Sequence, residues 1–264
     1  MQLVISIPAL RRWIAQMRRA GRKIGFVPTM GALHEGHLSL IRRARQSVGP
    51  RGAVVVSIFV NPTQFNQKTD FNRYPQRLAA DAALCRKSGV DLIFAPTAVL
   101  MYPPDFSTWI DEKSLSLPLC GASRPGHFRG VCTVVMKLFN LVQPDVAVFG
   151  QKDAQQALVV QRMVRDLNCP VRIMVAPTAR EADGLAMSSR NQRLNAAERK
   201  KARALNEALR MARSAFRRGC RDATKLRSLA LRHLRQSPMV RLDYLDLVNG
   251  ATLRPMRRPA TARH

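Results

Sequence analysis

Two histidines and two glycines lie close together in the segment Met30-Gly-Ala-Leu-His-Glu-Gly-His37. An apolar run at residues 24–27 precedes it and an amphipathic run at residues 38–44 follows it, which predicts a strand, a turn and a helix. Unpaired N–H groups and a partial positive charge at a helix start stabilise anions, and histidines add donors that can carry a proton near neutral pH. The segment predicts a phosphate site; the alternative is a pair of histidines on an ordinary loop.

Amide side chains follow the second predicted strand, in the segment Asn61-Pro-Thr-Gln64. Amides and hydroxyls can orient a polar substrate, but they cannot act as strong acids or bases. Asn61 and Gln64 therefore predict substrate recognition, and a purely structural polar turn is the alternative.

Two later segments carry cations beside polar groups. Gly150-Gln-Lys-Asp153 follows a predicted strand, and its lysine can hold phosphate as a point charge, with a surface Lys–Asp pair as the alternative. Met187-Ser-Ser-Arg190 follows the last predicted strand, where two hydroxyls and an arginine can bind a polyphosphate and match its charge in a transition state. Both segments predict contacts to an anionic substrate.

Several other kinds of site are missing from the sequence. It contains no Walker A motif, no Gly-x-Gly-x-x-Gly and no metal triad of histidines and carboxylates. His34 and His37 have a spacing that suits a metal, but no third ligand accompanies them. The five cysteines are odd in number and widely separated, so neither a disulfide framework nor a zinc site is encoded.

Apolar and amphipathic segments alternate through the first two thirds of the chain. Runs rich in Val and Ile predict buried parallel strands at residues 24–27, 53–60, 91–95, 145–149 and 171–176. Helical patterns lie near residues 8–20, 37–47, 76–88, 130–142 and 154–167. The order, one helix and then repeated strand–helix pairs, predicts an α/β fold with a doubly wound, Rossmann-like parallel sheet that binds ligands at the carboxyl ends of its strands.

The pattern changes after Pro177, and we predict two domains, residues 1–178 and a smaller α+β domain at residues 179–264. A capping box, Asn195-Ala-Ala-Glu198, predicts a helix that ends near Gly219. A second helix is expected after Asp222. The first helix should bury one apolar face, formed by Ala202, Leu205, Leu209, Ala212 and Phe216. After the second helix the chain should form a strand with Val240, Leu242 and Tyr244.

Composition favours a globular protein, with 46% hydrophobic and 23% charged residues among 264. No apolar run approaches the ~20 residues that cross a bilayer, and the N-terminus lacks the order of a signal peptide, so we expect a cytoplasmic protein without a membrane partner. The net charge of +27 should attract polyanions nonspecifically. The basic residues lie among Ala and Leu at helical spacing without interleaved aromatics, which favours a solvated basic surface over a nucleic-acid site.

Over residues 1–195 the chain resembles the pantoate–β-alanine ligase family. The resemblance rests on several motifs in the family's order: Val27-Pro-Thr-Met-Gly-Ala-Leu-His-Glu-Gly-His37, Val56-Ser-Ile-Phe-Val-Asn-Pro-Thr-Gln-Phe65, Arg73-Tyr-Pro75, Gly121-Ala-Ser-Arg-Pro-Gly-His-Phe-Arg-Gly130, Phe149-Gly-Gln-Lys-Asp153 with Gln155-Gln156, and Asp183-Gly-Leu-Ala-Met-Ser-Ser-Arg-Asn191. The family belongs to the nucleotidyl-transferring Rossmann-like enzymes, whose signatures are a His-x-Gly-His motif and a late, Ser-rich basic loop.

The resemblance implies a two-step ATP-dependent reaction. Pantoate attacks the α-phosphate of ATP to give pantoyl adenylate and pyrophosphate, and β-alanine then displaces AMP to give pantothenate. It also implies a homodimer, Mg²⁺ as a cofactor, and a lid formed by residues 179–264 that keeps the adenylate from water.

The resemblance further assigns roles to residues. ATP would be bound by Met30, Gly31, Ala32, Leu33, His34, Glu35, Gly36, His37, Gly150, Gln151, Lys152, Asp153, Ala179, Met187, Ser188, Ser189 and Arg190. His37 would be the proton donor, while His34, Lys152 and Arg190 would stabilise the transferring phosphoryl group. Gln64 would hold pantoate and later β-alanine, and Gln156 would hold pantoate. Asn61 is the third residue predicted to bind substrate. Asp81 would approach Mg²⁺.

The chain departs from the family pattern at two places. Ala154 stands where the family usually has a bulky aromatic residue, which predicts looser local packing. After Leu253-Arg-Pro255 the family continues into a further apolar strand, whereas this chain runs Met256-Arg-Arg-Pro-Ala-Thr-Ala-Arg-His264, so we expect a shortened C-terminal sheet. The alternatives to the ligase are another nucleotidyl-transfer enzyme and a nucleic-acid-binding protein on an inactive scaffold.

Overall fold

A computed structural model of the chain describes residues 1–237 and 241–256. It divides into two compact units, Met1–Ala179 and Arg180–His264. The strands are β1 (Gln2–Val4), β2 (Ile24–Thr29), β3 (Ala53–Ile58), β4 (Leu92–Phe94), β5 (Val146–Gly150) and β6 (Arg172–Ala176). The helices are α1 (Ile7–Arg19), α2 (Glu35–Val48), α3 (Lys68–Asn72), α4 (Leu78–Lys87), α5 (Ala98–Met101), α6 (Cys120–Ser123), α7 (His127–Val142), α8 (Ala154–Asp166), α9 (Ala196–Ala202), α10 (Ala204–Arg217) and α11 (Ala223–Arg235).

The first unit contains one six-stranded parallel sheet in the order β1-β4-β3-β2-β5-β6. β2 pairs with β3 over its whole length, from Ile24 opposite Ala53 to Thr29 opposite Ile58, and with β5 on its other side. Because β3 and β4 lie on one side of β2 and the later strands β5 and β6 lie on the other, the order reverses between β2 and β5. This is the topological switch point at which doubly wound sheets bind ligands, and the predicted α/β, Rossmann-like fold is confirmed.

Helices cover both faces of the sheet. On one face, Val27 and Val54 of the sheet belong to the same buried cluster as Ile41 of α2 and Cys85 of α4. On the other face, the ring of Phe26 meets the ring of Phe139 on α7 edge to face, with 6.3 Å between centroids. Burial of each large apolar side chain stabilises the sheet by roughly 1.5–3 kcal/mol, which explains the continuous apolar runs in the central strands.

Strand β1 was not predicted, and the expectation that the chain opens with a helix is wrong. Leu3 is 44% exposed, so this stretch shows no buried apolar run. The strand forms because Gln2 N–H donates to Asp91 O (2.9 Å) and the following residues pair with β4 at the edge of the sheet. That pairing is long-range and leaves no local pattern in the sequence.

The second unit contains the predicted capping box but not the predicted helix face. Asn195 and Glu198 cap each other's backbone N–H groups, as expected, yet the helix breaks at Arg203 into α9 and α10. Leu205 and Leu209 are 48% and 45% exposed. The buried face of α10 is formed instead by Ala204 and Ala208, which cluster with Ala230 and Leu234 of α11. Small side chains at the contact let the two helices pack closely.

The strand predicted around Leu242 and Tyr244 is absent from described residues 241–244, where both side chains are exposed. Val240 and the ending at residues 257–264 lie outside the described residues. Within its described part, the second unit combines helices with isolated bridges between Arg180 and Ala186 and between Val248 and Pro255. None of the helices in residues 1–237 and 241–256 is both long and apolar enough to span a membrane.

Candidate active site

Three of the predicted segments follow neighbouring strands of the sheet. Residues 30–37, the β2 turn, follow β2; residues 61–64, the β3 turn, follow β3; residues 150–153, the β5 turn, begin at the last residue of β5. Because β2 lies between β3 and β5, the three turns meet at one edge of the sheet, around the switch point.

Side chains bind the backbone at the start of the β2 turn. Gly31 and Ala32 have φ angles of +83° and +49°. Gly31 N–H donates to Thr29 Oγ1 (3.2 Å), Ala32 N–H to Asp81 Oδ2 (2.9 Å) and Leu33 N–H to Asp81 Oδ1 (2.8 Å). The N–H groups of these three residues therefore have partners inside the protein, and they lie before the first turn of α2, to which the predicted anion contact applies. Their contacts to ATP stay predictions.

The two histidines cap the start of α2 reciprocally. His34 Nδ1 accepts from Gly36 N–H (3.1 Å), and His37 Nδ1 accepts from His34 N–H (3.3 Å). The rings lie 4.1 Å apart between centroids. Because each Nδ1 acts as an acceptor, a neutral ring carries its proton on Nε2. The arrangement gives two adjacent rings whose Nε2–H groups can donate to one ligand.

The electrostatic surroundings keep His37 neutral. Burial, then the positive charge of His34 and then that of Lys152 lower the pKa of His37 from 6.5 to about 3. The charge of Lys152 therefore acts on His37 from the β5 turn, so the two turns share one electrostatic environment. At neutral pH these effects favour the uncharged ring of His37, which can donate a hydrogen bond from Nε2.

Asn61 is 1% exposed and uses its amide inside the protein. Its Nδ2 donates to Gln64 Oε1 (3.0 Å) and Gly130 O (3.2 Å), and its Oδ1 accepts from Thr63 Oγ1 (2.9 Å). The side-chain amide of Asn61 is therefore hydrogen-bonded within the protein, and its predicted substrate contact stays a prediction. The residue that Asn61 positions is Gln64.

Gln64 lies next to the β2 turn. Its Nε2 donates to Met30 Sδ (3.2 Å), and its backbone carbonyl oxygen lies 2.8 Å from Nδ1 of His127. Helix α7 approaches so closely that a Cβ on Gly130 would lie 2.5 Å from Thr63 O. The sequence analysis did not single out this contact of His127, although the segment Gly121–Gly130 was already one of the motifs of the resemblance.

The β5 turn contains the ion pair that was the alternative to a phosphate contact. Lys152 Nζ lies 3.1 Å from Asp153 Oδ1, and the charge of the same lysine also lowers the pKa of His37, while its phosphate contact stays a prediction. Of the following glutamines, Gln155 is buried and donates to Leu115 O (2.9 Å), a structural role. Gln156 is partly buried, and its side-chain amide has no hydrogen bond within the described residues, so it can contact a ligand.

The last predicted segment belongs to the second unit, whereas Ala179 closes the first. Arg190 N–H donates to Ser188 Oγ (3.2 Å). Asn191 Nδ2 donates to Glu181 Oε1 (3.0 Å), and Arg199 binds both Glu181 and Asp183. Hydrogen bonds from Arg199 and Asn191 lower the pKa of Glu181. The loop that carries Ser188, Ser189 and Arg190 is thus held by its own unit.

Asp81 does not fit its predicted role as a magnesium ligand. It is 2% exposed, and each carboxylate oxygen accepts a backbone N–H. Mg²⁺ binds octahedrally and keeps several waters, which needs open space around the carboxylate. Among the described residues, no group of three His, Cys, Asp or Glu side chains could hold a metal ion.

Known proteins match nearly the whole chain. The model of the family described as pantoate-beta-alanine ligase matches residues 2–263. A pantothenate synthetase of Thermotoga neapolitana is 52% identical over 258 residues, which cover 98% of this chain and 91% of that protein. The crystal structure of pantothenate synthetase from Thermus thermophilus superposes with a TM-score of 0.92 at 46% identity, covering 98% of this chain and 91% of that one. The ligase of Francisella tularensis, complexed with a β,γ-ATP compound and β-alanine, has a TM-score of 0.76 at 36% identity, covering 88% and 86%.

Proposed function

The chain belongs to the pantoate–β-alanine ligase family, and we propose that the three turns at its switch point catalyse the ATP-dependent condensation of pantoate with β-alanine. The proposal rests on the pair of Nε2 donors on His34 and His37, which lie in the β2 turn. The positive charge of Lys152 acts on the ring of His37. Donors fixed in this way suit a reaction in which negative charge shifts on a phosphate.

In the first step, a carboxylate oxygen of pantoate attacks the α-phosphorus of ATP, and the bond to the bridging oxygen of pyrophosphate breaks. The nucleophile is already ionised and pyrophosphate leaves as an anion, so no proton has to move. The enzyme must align the reactants and stabilise charge on the phosphoryl oxygens. Neutral His37 and its neighbour His34 supply hydrogen bonds from Nε2, and Lys152 supplies positive charge. His37 thus acts as a hydrogen-bond donor and not as an acid.

In the second step, the amine of β-alanine attacks the acyl carbon of pantoyl adenylate. The bond between that carbon and the phosphate oxygen breaks, AMP leaves with both electrons of that bond, and the proton lost by the attacking nitrogen passes to solvent water. The same hydrogen-bond donors stabilise AMP as it leaves. One phosphate site therefore serves both steps.

Recognition of the acid and the amine falls to the two glutamines. Two neighbours hold Gln64: Asn61 donates to its side-chain oxygen, and His127 contacts its backbone carbonyl oxygen. The side-chain amide of Gln64 therefore has a fixed direction. Gln156 presents an amide without a partner in the described part of the chain. Neutral amides suit the hydroxyls and carboxylate of pantoate because they bind without requiring a particular charge.

Several finer assignments remain part of the proposal. We place Mg²⁺ on the phosphates of the incoming ATP, because Asp81 does not fit it. The ATP contacts of Ala179, Met187, Ser188, Ser189 and Arg190 stay predictions from the family resemblance. The homodimer and the lid role of residues 179–264 do so as well, and nonspecific polyanion binding stays a prediction from the net charge of +27.

The test is AMP formation by the purified chain with each substrate omitted in turn. We expect AMP and pantothenate in equal amounts only when ATP, pantoate and β-alanine are all present. A nucleotide that stays attached to the product would indicate another nucleotidyl-transfer enzyme. Absence of turnover together with steeply salt-dependent RNA binding would favour the nucleic-acid-binding alternative.

A further inference from the structure

We infer that Asp81 is a positioning residue of the ATP site: it fixes the backbone of the β2 turn and thereby the start of helix α2, and it is not a ligand of Mg²⁺. The inference rests on the proposed ATP site and assigns a structural task to the carboxylate that supports the β2 turn.

Asp81 holds a backbone conformation that would not persist alone. It lies in the first turn of α4, and its two oxygens accept from Ala32 and Leu33. Ala32 has φ +49°, a left-handed conformation that is disfavoured for residues with a Cβ and is retained only where the surroundings enforce it. Because two adjacent N–H groups meet the two oxygens of one carboxylate, Asp81 fixes the direction of both peptide planes.

The packing around the carboxylate leaves no space for a hydrated ion. A Cβ on Gly31 would lie 3.0 Å from Asp81 Oδ2 and 3.0 Å from Ile58 Cγ2, so the glycine backbone closes against the carboxylate. The side chain is also 2% exposed. Thr29 completes the support, because its Oγ1 accepts from Gly31 N–H and donates to Ser57 O (2.8 Å).

The β2 turn, which Asp81 supports, leads directly to the two histidines of the proposed ATP site. Leu33, the second residue bound by Asp81, precedes His34, which is the N-cap of α2. Movement of the turn therefore moves the His34 ring and, through the reciprocal cap, the His37 ring. A displacement of about 1 Å in a reacting group can cost about 10²-fold in rate. Loss of Asp81 should thus affect ATP chemistry more than the recognition of pantoate.

The main variant is Asp81→Asn, which keeps the size of the side chain but faces one backbone N–H with an NH₂ group. The matched control is Asp145→Asn. Asp145 accepts Ile24 N–H (2.6 Å) at the opposite end of β2 and pairs with Arg18, so it supports the same strand away from the site. The measurements are kcat, KM for ATP and KM for pantoate at rising Mg²⁺ concentration, with the thermal midpoint of unfolding.

We expect Asp81→Asn to lower kcat/KM for ATP by roughly 10- to 100-fold at saturating Mg²⁺, with a much smaller change in KM for pantoate. Asp145→Asn should lower the unfolding midpoint and leave kcat/KM for ATP near the wild-type value. Recovery of the Asp81→Asn rate at high Mg²⁺ would show that Asp81 is a metal ligand. An equal kinetic loss in both variants would show a general loss of stability, and either outcome overturns the inference.

A second measurement does not depend on ligase activity or on the folding of that variant. Amide hydrogen exchange of the wild-type chain should show Ala32 and Leu33 N–H protected without ATP, and equally protected with the α,β-methylene analogue of ATP, in which the bond that the reaction breaks is blocked. Thr29→Val should accelerate exchange at Gly31 and weaken binding of this analogue measured by calorimetry. Fast exchange at Ala32 and Leu33 that becomes slow only with the analogue would overturn the inference. A wild-type chain that forms no AMP would instead contradict the proposed function.

Discussion

Replacement of His37 tests whether its ring works as a neutral hydrogen-bond donor. The wild-type ring accepts His34 N–H at Nδ1, which leaves Nε2–H for the ligand. Glutamine can place an N–H near the position of Nε2, whereas alanine cannot. We expect His37→Ala to lower the rate of adenylate formation by about 10²–10³-fold, the usual cost of one fixed donor to a developing anion. His37→Gln should retain a larger share of the rate.

The size of the pKa shift separates this role from that of an acid. With a pKa of about 3, only about one ring in 10⁴ carries a proton at pH 7 before the anionic ATP binds, so an obligatory imidazolium would make kcat/KM for ATP fall tenfold per pH unit throughout the range above that pKa. A required imidazolium with the ordinary pKa of 6.5 would instead make kcat/KM fall tenfold per pH unit above that value. A neutral donor predicts neither effect.

The assay is pyrophosphate release in a single turnover with ATP and pantoate, followed from about pH 5.5 to about pH 8.5, which brackets the ordinary histidine pKa. We expect kcat/KM for ATP to show no decrease above pH 6.5 that depends on His37. A tenfold fall per unit above pH 6.5 in the wild type, absent from His37→Gln, would refute the neutral-donor role.

The same shift has a consequence for stability. Because the folded pKa of His37 lies below the unfolded value, the unfolded chain binds more protons between pH 6.5 and about 3. The free energy of unfolding should therefore decrease as the pH falls through this window, by up to ~1.4 kcal/mol per pH unit for this one proton. Denaturant unfolding of wild type and His37→Gln checks this: the difference in slope should vanish above about pH 7.

Two further predictions concern the substrate amide and the basic surface. Gln156→Ala should raise KM for pantoate far more than KM for ATP in steady-state assays, because its amide has no structural partner in the described residues; equal increases would indicate a structural role. Replacement of the exposed Arg217, Arg218 and Arg221 by glutamine should weaken binding to heparin or RNA and reduce its salt dependence, with AMP formation nearly unchanged; loss of ligase activity would show that this charge serves the reaction.

The sequence predicted those parts of the fold that are fixed by local periodicity. The central strands were found because both of their faces are buried, as for Phe26 and Val27 in β2. Strand β1 depends on pairing with a distant edge, and the face of α10 depends on the partner helix, which takes Ala208 and leaves Leu209 exposed. A hydrophobic pattern ranks leucine above alanine as a core residue, but close helix packing reverses that order.

For the candidate site, the sequence identified segments that the structure brings together at one edge of the sheet, but not the contacts that support them. The spacing of His34 and His37 at a strand–helix turn predicted a phosphate site because it is a local feature. The roles of Asp81 and His127 arise from packing between elements far apart in the chain. The internal hydrogen bonds of Asn61 could not be predicted, because an amide after a strand looks the same in sequence whether it faces a ligand or a neighbouring backbone.

The central claim is that the carboxylate of pantoate attacks the α-phosphorus of ATP at the paired histidines, and oxygen tracing tests it directly. Pantoate labelled with ¹⁸O in its carboxylate is incubated with ATP, β-alanine and the enzyme, and the products are analysed by mass spectrometry or ³¹P resonance. Attack at the α-phosphorus predicts one ¹⁸O atom in each AMP and none in pyrophosphate. Label in inorganic phosphate with ADP as the nucleotide product, or unlabelled AMP, would contradict the account.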